Sequence, residues 1–188
     1  MTKTQNERSK HLSYLLRHRP EAANLDLDKE GWCSIQQLTE NTDFTVDELF
    51  TIVREDKKQR YSVLPSFSEA LQTGEQPTEI RANQGHSTHE VDITFKVAVP
   101  PVKLYHGADS RALAEIQKLG LLPMRRHHVH LSADVHTAEA VGGRRRSGHA
   151  VLEVDAKAMV ADGIKFYISD NNVWLVDAVP PKYLKELP

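Results

Sequence analysis

Apolar residues recur at helical spacing near the start of the chain. Leu12, Leu15 and Leu16 fall on one helical face, and basic side chains crowd what would be the last turn before Pro20. Ser34 lies three residues before a glutamine, which is the capping-box spacing at the start of a helix. The pattern predicts one helix that ends before Pro20 and a second that begins after Ser34.

A third helix and a β-hairpin are predicted in the remainder of the first half. Thr45 precedes a glutamate at the same capping spacing. The residues after it are apolar at i, i+3, i+4 and i+7, namely Val46, Leu49, Phe50 and Val53. The segments RYSVL (60–64) and TEIRA (78–82) are strand-like and flank a stretch that contains turn-forming residues. Three helices followed by a hairpin are typical of a winged-helix lobe.

The paired prolines of AVPPV separate this half from a second one. Beyond them strand-like and helix-like segments alternate, and the end of the chain is rich in strands. The strand-like segments are 103–107, 127–132, 149–154, 165–169 and 173–179, and the helix-like segments are 110–120 and 133–143. We therefore expect an α+β fold with a first lobe over residues 1–97 and a second over residues 98–188.

Charge is distributed unevenly along the chain. The 188 residues hold 24 Lys and Arg against 26 Asp and Glu, which argues against general, non-specific binding of nucleic acid. However, residues 1–20 and residues 111–149 each carry a net charge of +4, while the segments around them are acidic. If an anionic ligand binds, we expect it where these two basic segments converge.

Cysteine content and hydropathy restrict the cellular setting. Cys33 is the single cysteine, which excludes an internal disulfide and a cysteine-based zinc cluster and suits a reducing compartment. No apolar stretch approaches the roughly 18 residues of a membrane span, and the first ten residues lack the apolar segment of a signal peptide. We expect a cytoplasmic protein, monomeric by default, with no membrane partner.

The histidines first suggest a metal site or a two-histidine esterase. Four of them crowd one region, namely His127, His128, His130 and His136. On a strand at most two could share an ion, and the neighbours are arginines rather than carboxylates, so we expect no metal. The tripeptides HST (86–88) and HLS (130–132) resemble those of phosphoesterases that use paired histidines as acid and base, but such short patterns often arise by chance.

Arginines beside histidines and glycines are stronger candidates for an anion site. Arg17 and His18 end the first predicted helix, where a solvated cation pair is the alternative explanation. Arg81 precedes a turn that contains Gly85, His86 and Ser87, and such a turn can offer backbone N–H groups to a phosphate. A glycine-flanked basic segment is a further candidate for RNA contact, namely Arg144, Arg145 and Arg146.

Six strings in order give the chain a resemblance to a known family. They are SKHLSYLLRHRP, DKEGWCSIQQL, IRANQGHS, KLYHGA, RRHHVHLS and NNVWLV. In this order they resemble the RNA 2'-phosphotransferases, NAD-dependent enzymes named for the final step of tRNA splicing, and the likeness runs from about Ser9 to Tyr183. The resemblance implies an N-terminal winged-helix lobe for RNA and a C-terminal ADP-ribosyltransferase lobe for NAD.

The resemblance also implies a reaction and a catalytic set. The 2'-phosphate of an internal RNA nucleotide would attack the nicotinamide ribose of NAD, and the ribose 2''-hydroxyl would then attack the phosphorus. The products would be RNA with a 2'-hydroxyl, nicotinamide and ADP-ribose 1'',2''-cyclic phosphate. The residues at the family's catalytic positions are Arg17, His18, Arg81 and Arg126. Arg126 is chosen over Arg125 because it lies two residues before His128.

For NAD, the resemblance implies that His106 and Gly107 hold the nicotinamide riboside, with Ala108 beside them and His130 and Ser132 in the same cleft. Relatives commonly have Thr at the position of Ala108, so the side-chain contact there is in doubt. Many ADP-ribosyltransferases have a glutamate where this chain has Val173. Its absence suits an acceptor that is already a charged phosphate and counts against a transferase that modifies proteins.

Two other functions stay open. A two-histidine phosphoesterase would need no nucleotide cosubstrate. A winged-helix regulator would sense NAD or ADP-ribose without releasing nicotinamide.

Overall fold

A computed structural model describes residues 3–142 and 148–188, which divide into two compact units, Met1–Thr94 and Phe95–Pro188. Helices and small antiparallel sheets occur in both units, so the fold mixes α and β structure as expected. Arg144, Arg145 and Arg146 lie outside the described residues. Among the described residues, no helix is both long enough and apolar enough to cross a membrane.

The first unit holds four helices and one three-stranded sheet within its described residues. The helices are α1 (Lys3–His18), α2 (Ile35–Asn41), α3 (Val46–Glu55) and α4 (Phe67–Thr73). The strands are β1 (Trp32–Ser34), β2 (Tyr61–Leu64) and β3 (Glu79–Ala82), in the antiparallel order β1-β3-β2. Leu12, Leu16, Leu38, Leu49 and Ile80 are fully buried at the centre of its core.

Local signals at three helix ends are confirmed in this unit. The first helix ends at His18, and Pro20 begins a short 3₁₀ turn. The Ser34 and Thr45 side chains accept hydrogen bonds from the backbone N–H groups three residues on, at 3.3 and 3.2 Å, so α2 and α3 begin where expected. The hairpin of β2 and β3 is also confirmed.

Helix α4 was not predicted, because it lies within the segment that we interpreted as a turn between the two hairpin strands. None of its residues is buried, and Leu71 is 89% exposed. Its apolar residues, Phe67, Ala70 and Leu71, span little more than one turn, which is too short a pattern to indicate a helix. The local signal that could have revealed it is a capping box, in which Ser66 and Glu69 each bond the other's backbone N–H.

The second unit contains the remaining strands and helices of the described chain. Its strands are β4 (Lys96–Val97), β5 (Lys103–Asp109), β6 (Val129–Leu131), β7 (His149–Asp155), β8 (Tyr167–Ile168), β9 (Trp174–Val176) and β10 (Leu184–Glu186). Its helices are α5 (Leu113–Leu119), α6 (Val135–Gly142) and α7 (Ala156–Ala161). Because β4 pairs with β8, Lys96 and Val97 belong to this unit, although the prolines suggested a boundary after residue 97.

Two antiparallel sheets frame the core of the second unit. One has the order β10-β7-β5 and the other the order β4-β8-β9-β6. Tyr105 and Ser132 join them, because each backbone N–H donates to the other's carbonyl oxygen at 2.9 and 2.8 Å. Leu104, Met159 and Val176 are fully buried in this core. The join brings β5 beside the end of β6, where several candidate site residues lie.

Three details of the second unit differ from the sequence interpretation. The predicted strand over 127–132 begins only at Val129, so His127 and His128 precede it and the argument from alternating strand faces does not apply to them. Helix α7 and strand β10 were missed. Both are short, so neither gives a periodic pattern long enough to read.

Candidate functional site

The C-terminal end of α1 carries Arg17 and His18. The apolar face of the helix is buried in the core, which fixes the direction of its last turn. Arg17 is only 8% exposed, and its Nε and Nη2 atoms are buried. His18 Nδ1 lies 2.9 Å from the Ser87 hydroxyl, and the Ser87 N–H donates to the Arg17 carbonyl at 2.9 Å. The structure thus brings Arg17, His18 and Ser87 into direct contact.

The turn after β3, which the sequence predicts as a phosphate-binding turn, is largely buried. Asn83, Gln84, Gly85 and His86 are all buried. The Ser87 N–H is already bonded to the protein, as described above. Gly85 has a φ of +88°, a left-handed conformation that a glycine adopts without steric cost. The turn therefore packs against α1 through the Ser87 N–H, and its role in binding phosphate stays a prediction.

His86 packs against the turn between α1 and β1. A Cβ atom added to Gly31 would lie 3.1 Å from His86 Nε2. His86 is 4% exposed and lies after β3 rather than on a strand. The two-histidine esterase pattern requires both tripeptides on strands, so the position of His86 counts against that alternative.

Arg81 lies in the middle strand of the first unit's sheet, opposite Trp32 of β1. Its guanidinium carbon lies 4.6 Å from the centroid of the Trp32 ring. Nη1 donates to the Glu30 carbonyl oxygen at 3.2 Å and lies 3.5 Å from Glu30 Oε2. The side chain is 13% exposed. The sequence identified Arg81 but gave no sign of Glu30 or Trp32 beyond their place in the string DKEGWCSIQQL.

His106 lies on β5 in the second unit and is partly buried. Its Nδ1 lies 2.9 Å from the His130 carbonyl oxygen. A carbonyl only accepts, so Nδ1 carries the proton and Nε2 of the neutral ring is an acceptor. Burial lowers the pKa of His106 from its ordinary value of 6.5, and the positive charge of Arg126 lowers it further. His106 is therefore held as a neutral, oriented imidazole.

Arg126 lies beside this histidine pair. Its Nη1 is 3.5 Å from His130 Nδ1. Although the residue as a whole is exposed, the surrounding protein desolvates the guanidinium and lowers its pKa from the ordinary value. Arg126, His130 and His106 thus form a continuous polar contact within one unit.

The remaining candidates on β5 and near β6 differ in exposure. Gly107 pairs with Val151 on β7 and is partly exposed. Ala108 is 6% exposed and belongs to the hydrophobic core, so its methyl group packs inward. Ser132 is fixed through its backbone to Tyr105. The Ala108 side chain thus occupies a core position.

His128, one of the four histidines between residues 127 and 136, contacts aromatic rings and one aspartate. His128 meets the edges of the Phe95 and Tyr167 rings, with centroids 5.6 and 5.5 Å away, and its Nε2 lies 3.7 Å from Asp177 Oδ1. Within residues 3–142 and 148–188, no three His, Cys, Asp or Glu side chains are grouped as they would be around a metal ion.

Comparisons with known proteins support one family. The sequence profile of the family described as "RNA 2'-phosphotransferase, Tpt1 / KptA family" matches residues 3–178. A protein of Rhizobium leguminosarum bv. trifolii is 43% identical over 186 residues, covering 97% of this chain and 94% of the relative. A protein of Fusobacterium nucleatum is 44% identical over 181 residues, covering 93% and 94% respectively. A Nostoc punctiforme protein is 44% identical over 184 residues, covering 95% of each chain. All three relatives are named probable RNA 2'-phosphotransferases.

Proposed function

The chain belongs to the RNA 2'-phosphotransferase, Tpt1 / KptA family, and from this premise we propose that it transfers an internal RNA 2'-phosphate to NAD. The first unit would act as a winged-helix lobe that binds RNA, and the second as an ADP-ribosyltransferase-like lobe that binds NAD. The RNA would be a tRNA or a similar molecule that carries the 2'-phosphate left by splicing.

Four residues would act on the phosphate, namely Arg17, His18, Arg81 and Arg126. A phosphate monoester carries a charge of about −1.5 to −2 near neutral pH. Arginine matches that charge and offers paired N–H donors that fix the orientation of the phosphate oxygens. The low exposure of Arg17 and Arg81 supports this role, because guanidinium groups in partly desolvated surroundings interact more strongly with an anion.

His18 would hydrogen-bond the phosphate or move a proton during the second step. Its contact with the Ser87 hydroxyl through Nδ1 fixes the ring and directs Nε2 away from that contact. Gly85, His86 and Ser87, in the turn that contacts His18, would also contribute to binding the phosphate or the RNA. Arg144, Arg145 and Arg146 remain proposed RNA contacts that lie outside the described residues.

NAD would be a cosubstrate held by the second unit. The residues suit the cationic nicotinamide riboside of NAD, because His106 is kept neutral by burial and presents Nε2 as an acceptor for a ribose hydroxyl. Gly107 would offer its backbone to the carboxamide, with His130 and Ser132 nearby. When bound, NAD supplies an electrophilic ribose carbon and a nicotinamide leaving group. The 2'-phosphate would displace nicotinamide to give an ADP-ribosylated RNA phosphate. The ribose 2''-hydroxyl would then attack the phosphorus and expel the RNA 2'-oxygen, which gives RNA with a 2'-hydroxyl and ADP-ribose 1'',2''-cyclic phosphate.

The contact between Arg126 and His130 carries the proposal. Arg126 is a candidate for the phosphate, and His130 is a candidate for NAD. Their nitrogen atoms lie 3.5 Å apart within one unit. A phosphate held by Arg126 would therefore be near a dinucleotide held beside His130, as attack on the nicotinamide ribose requires.

The test is incubation of RNA carrying one internal 2'-phosphate with and without NAD. We expect nicotinamide and ADP-ribose 1'',2''-cyclic phosphate, identified by mass spectrometry, only when NAD is present. Loss of the 2'-phosphate without NAD would support the esterase. NAD binding without nicotinamide release would support the regulator.

Substitution of the arginines tests their assignment to the phosphate. We expect Arg17→Ala, Arg81→Ala and Arg126→Ala each to lower the rate by about 10²–10³-fold, because each removes a charged donor from the reacting phosphate. Arg125→Ala is the matched control, since it removes the neighbouring exposed arginine and should change the rate by less than about 3-fold. A larger loss from Arg125→Ala than from Arg126→Ala would reverse our assignment. Rates are measured under single-turnover conditions.

We also propose a cytoplasmic monomer that uses no metal. Cys33 is 2% exposed, and burial raises the pKa of its thiol to about 12. A thiol that stays protonated and buried suits a protein that forms no disulfide with a second chain.

A further inference from the structure

Arg81 is contacted from two directions by a short turn that the family comparison leaves without a role. Trp32 covers the face of its guanidinium, and Glu30 contacts its edge through both a carbonyl and a carboxylate oxygen. We propose that Trp32 and Glu30 are positioning residues that orient the Arg81 guanidinium toward the RNA 2'-phosphate. This inference rests on the proposed function, in which Arg81 binds that phosphate.

The contact with Trp32 follows from strand register. Trp32 and Arg81 are direct partners in the antiparallel pair of β1 and β3, so their side chains share one face of the sheet. The ring lies 4.6 Å from the guanidinium carbon, within the range of a cation–π contact. An aromatic face leaves the N–H groups in the guanidinium plane and restricts rotation of that plane. Trp32 therefore defines the plane in which Arg81 can donate.

Trp32 is itself fixed by a closed turn. Its N–H donates to Asp28 Oδ1 at 2.8 Å, and its carbonyl accepts from the Asp28 N–H at 2.9 Å. The Gly31 N–H donates to the Asp28 carbonyl at 3.0 Å. A residue held by bonds on both sides of its backbone provides a rigid surface, whereas a flexible aromatic residue would not orient its neighbour.

Glu30 limits rotation within that plane. Its carbonyl accepts from Arg81 Nη1 at 3.2 Å, and its carboxylate, 3.5 Å from Nη1, also accepts from the Thr94 N–H at 3.2 and 3.4 Å. The Glu30 side chain is 39% exposed, so an ion pair of this length contributes little to folding stability. The contact with Glu30 instead restricts the orientation of Arg81, because it holds one edge of the guanidinium at the turn.

The experiment measures discrimination between two RNAs by the full chain. One RNA carries a single internal 2'-phosphate, the other has a 2'-hydroxyl at the same position, and the ratio of their affinities is determined without NAD. We expect Trp32→Leu to lower this ratio by about 10-fold and Glu30→Gln by about 3-fold, while Trp32→Phe, which keeps an aromatic face, retains it within about 3-fold. With NAD present, the KM for NAD should stay unchanged in all three variants.

A double-mutant cycle separates positioning from a general structural effect. In an Arg81→Ala background, neither Trp32→Leu nor Glu30→Gln should lower the ratio further, because the group that they orient is gone. The matched control is Phe67→Leu, which removes an aromatic ring 4.2 Å from the Arg54 guanidinium in the same unit and should leave the ratio unchanged. Circular dichroism establishes that each variant is folded.

Three results would overturn the inference. The first is an equal loss of discrimination in the presence and absence of Arg81. The second is an unchanged ratio in both Trp32→Leu and Glu30→Gln when Arg81→Ala lowers it. The third is a wild-type protein that does not distinguish the two RNAs, whereas the proposed function itself fails only if no nicotinamide is released. If Trp32→Leu does not fold, the double-mutant cycle of Glu30→Gln with Arg81→Ala tests the inference. The Glu30 side chain is partly exposed, so its substitution should not prevent folding.

Discussion

The chemical state of single side chains is set by their immediate neighbours. His106 must donate through Nδ1 because its partner is a carbonyl oxygen, and burial opposes its protonation. His18, in contrast, faces a hydroxyl group, which can donate or accept. The sequence pointed to both histidines, yet only the contacts show that the partner of His106 fixes its tautomer, whereas the Ser87 hydroxyl does not fix that of His18.

The lowered pKa of His106 makes folding stability depend on pH. Its pKa is lower in the folded chain than in the unfolded chain, so the stability from the neutral ring is complete above about pH 6.5 and is lost as the pH falls through the folded value. We expect the melting temperature to fall between pH 7.5 and pH 5.5, and to fall less in His106→Asn, whose amide can keep the bond to the His130 carbonyl. Differential scanning calorimetry measures this. His136 is an exposed histidine of the same unit. If His136→Asn reduced the fall in melting temperature as much as His106→Asn, the pH dependence could not be assigned to His106.

At the scale of elements, the turn that ends in Trp32 connects several parts of the first unit. Gly31 has a φ of +80° and is flanked by Glu30 and Trp32, which contact Arg81. The buried His86 packs against the same glycine. The turn of Glu30, Gly31 and Trp32 therefore contacts both Arg81 on β3 and His86 in the segment that follows β3.

The space around Gly31 gives a test at this scale. Gly31→Ala and Gly74→Ala both place a side chain at positive φ, which costs about 1–2 kcal/mol. The new Cβ at Gly31 also meets His86 at 3.1 Å and Val91 at 3.3 Å, whereas nothing lies within 4 Å at Gly74. We expect Gly31→Ala to lower the free energy of unfolding more than Gly74→Ala in urea titrations. Equal losses would mean that His86 moves aside without cost.

At the scale of the whole molecule, each unit has its own hydrophobic core among the described residues. The first core is built from α1, α2, α3 and the sheet β1-β3-β2, and the second from residues of both sheets of its unit together with α7. Each unit by itself is near the lower end of the size range for independently folding domains.

Because each unit has its own core, we expect a destabilising substitution in one core to affect mainly the unit that contains it. Leu38 and Leu104 are both 0% exposed, one in each core, and truncation to alanine costs about 2–5 kcal/mol at such sites. We expect Leu38→Ala to speed amide hydrogen exchange mainly in residues 1–94 and Leu104→Ala mainly in residues 95–188, as measured by mass spectrometry. Faster exchange throughout the chain for either variant would instead indicate a single cooperative unit.

The amino-acid sequence by itself determined the features that depend on neighbouring residues. The caps at Ser34 and Thr45 and the hairpin strands all follow from the spacing of residues along the chain. The family resemblance was also carried by short strings, and it identified Arg17, His18, Arg81 and Arg126 as candidates.

Only the tertiary structure decided which side chains surround those candidates. Ser87 meets His18 across 69 positions of sequence, and Trp32 meets Arg81 because β1 pairs with β3. Helix α4 escaped prediction because its apolar pattern is too short to indicate a helix, and the turn at Gly85 packs against α1, where the Ser87 N–H donates to the Arg17 carbonyl. Local patterns encode backbone conformation, whereas contacts between distant segments depend on how whole elements pack, and no short stretch of sequence contains that information.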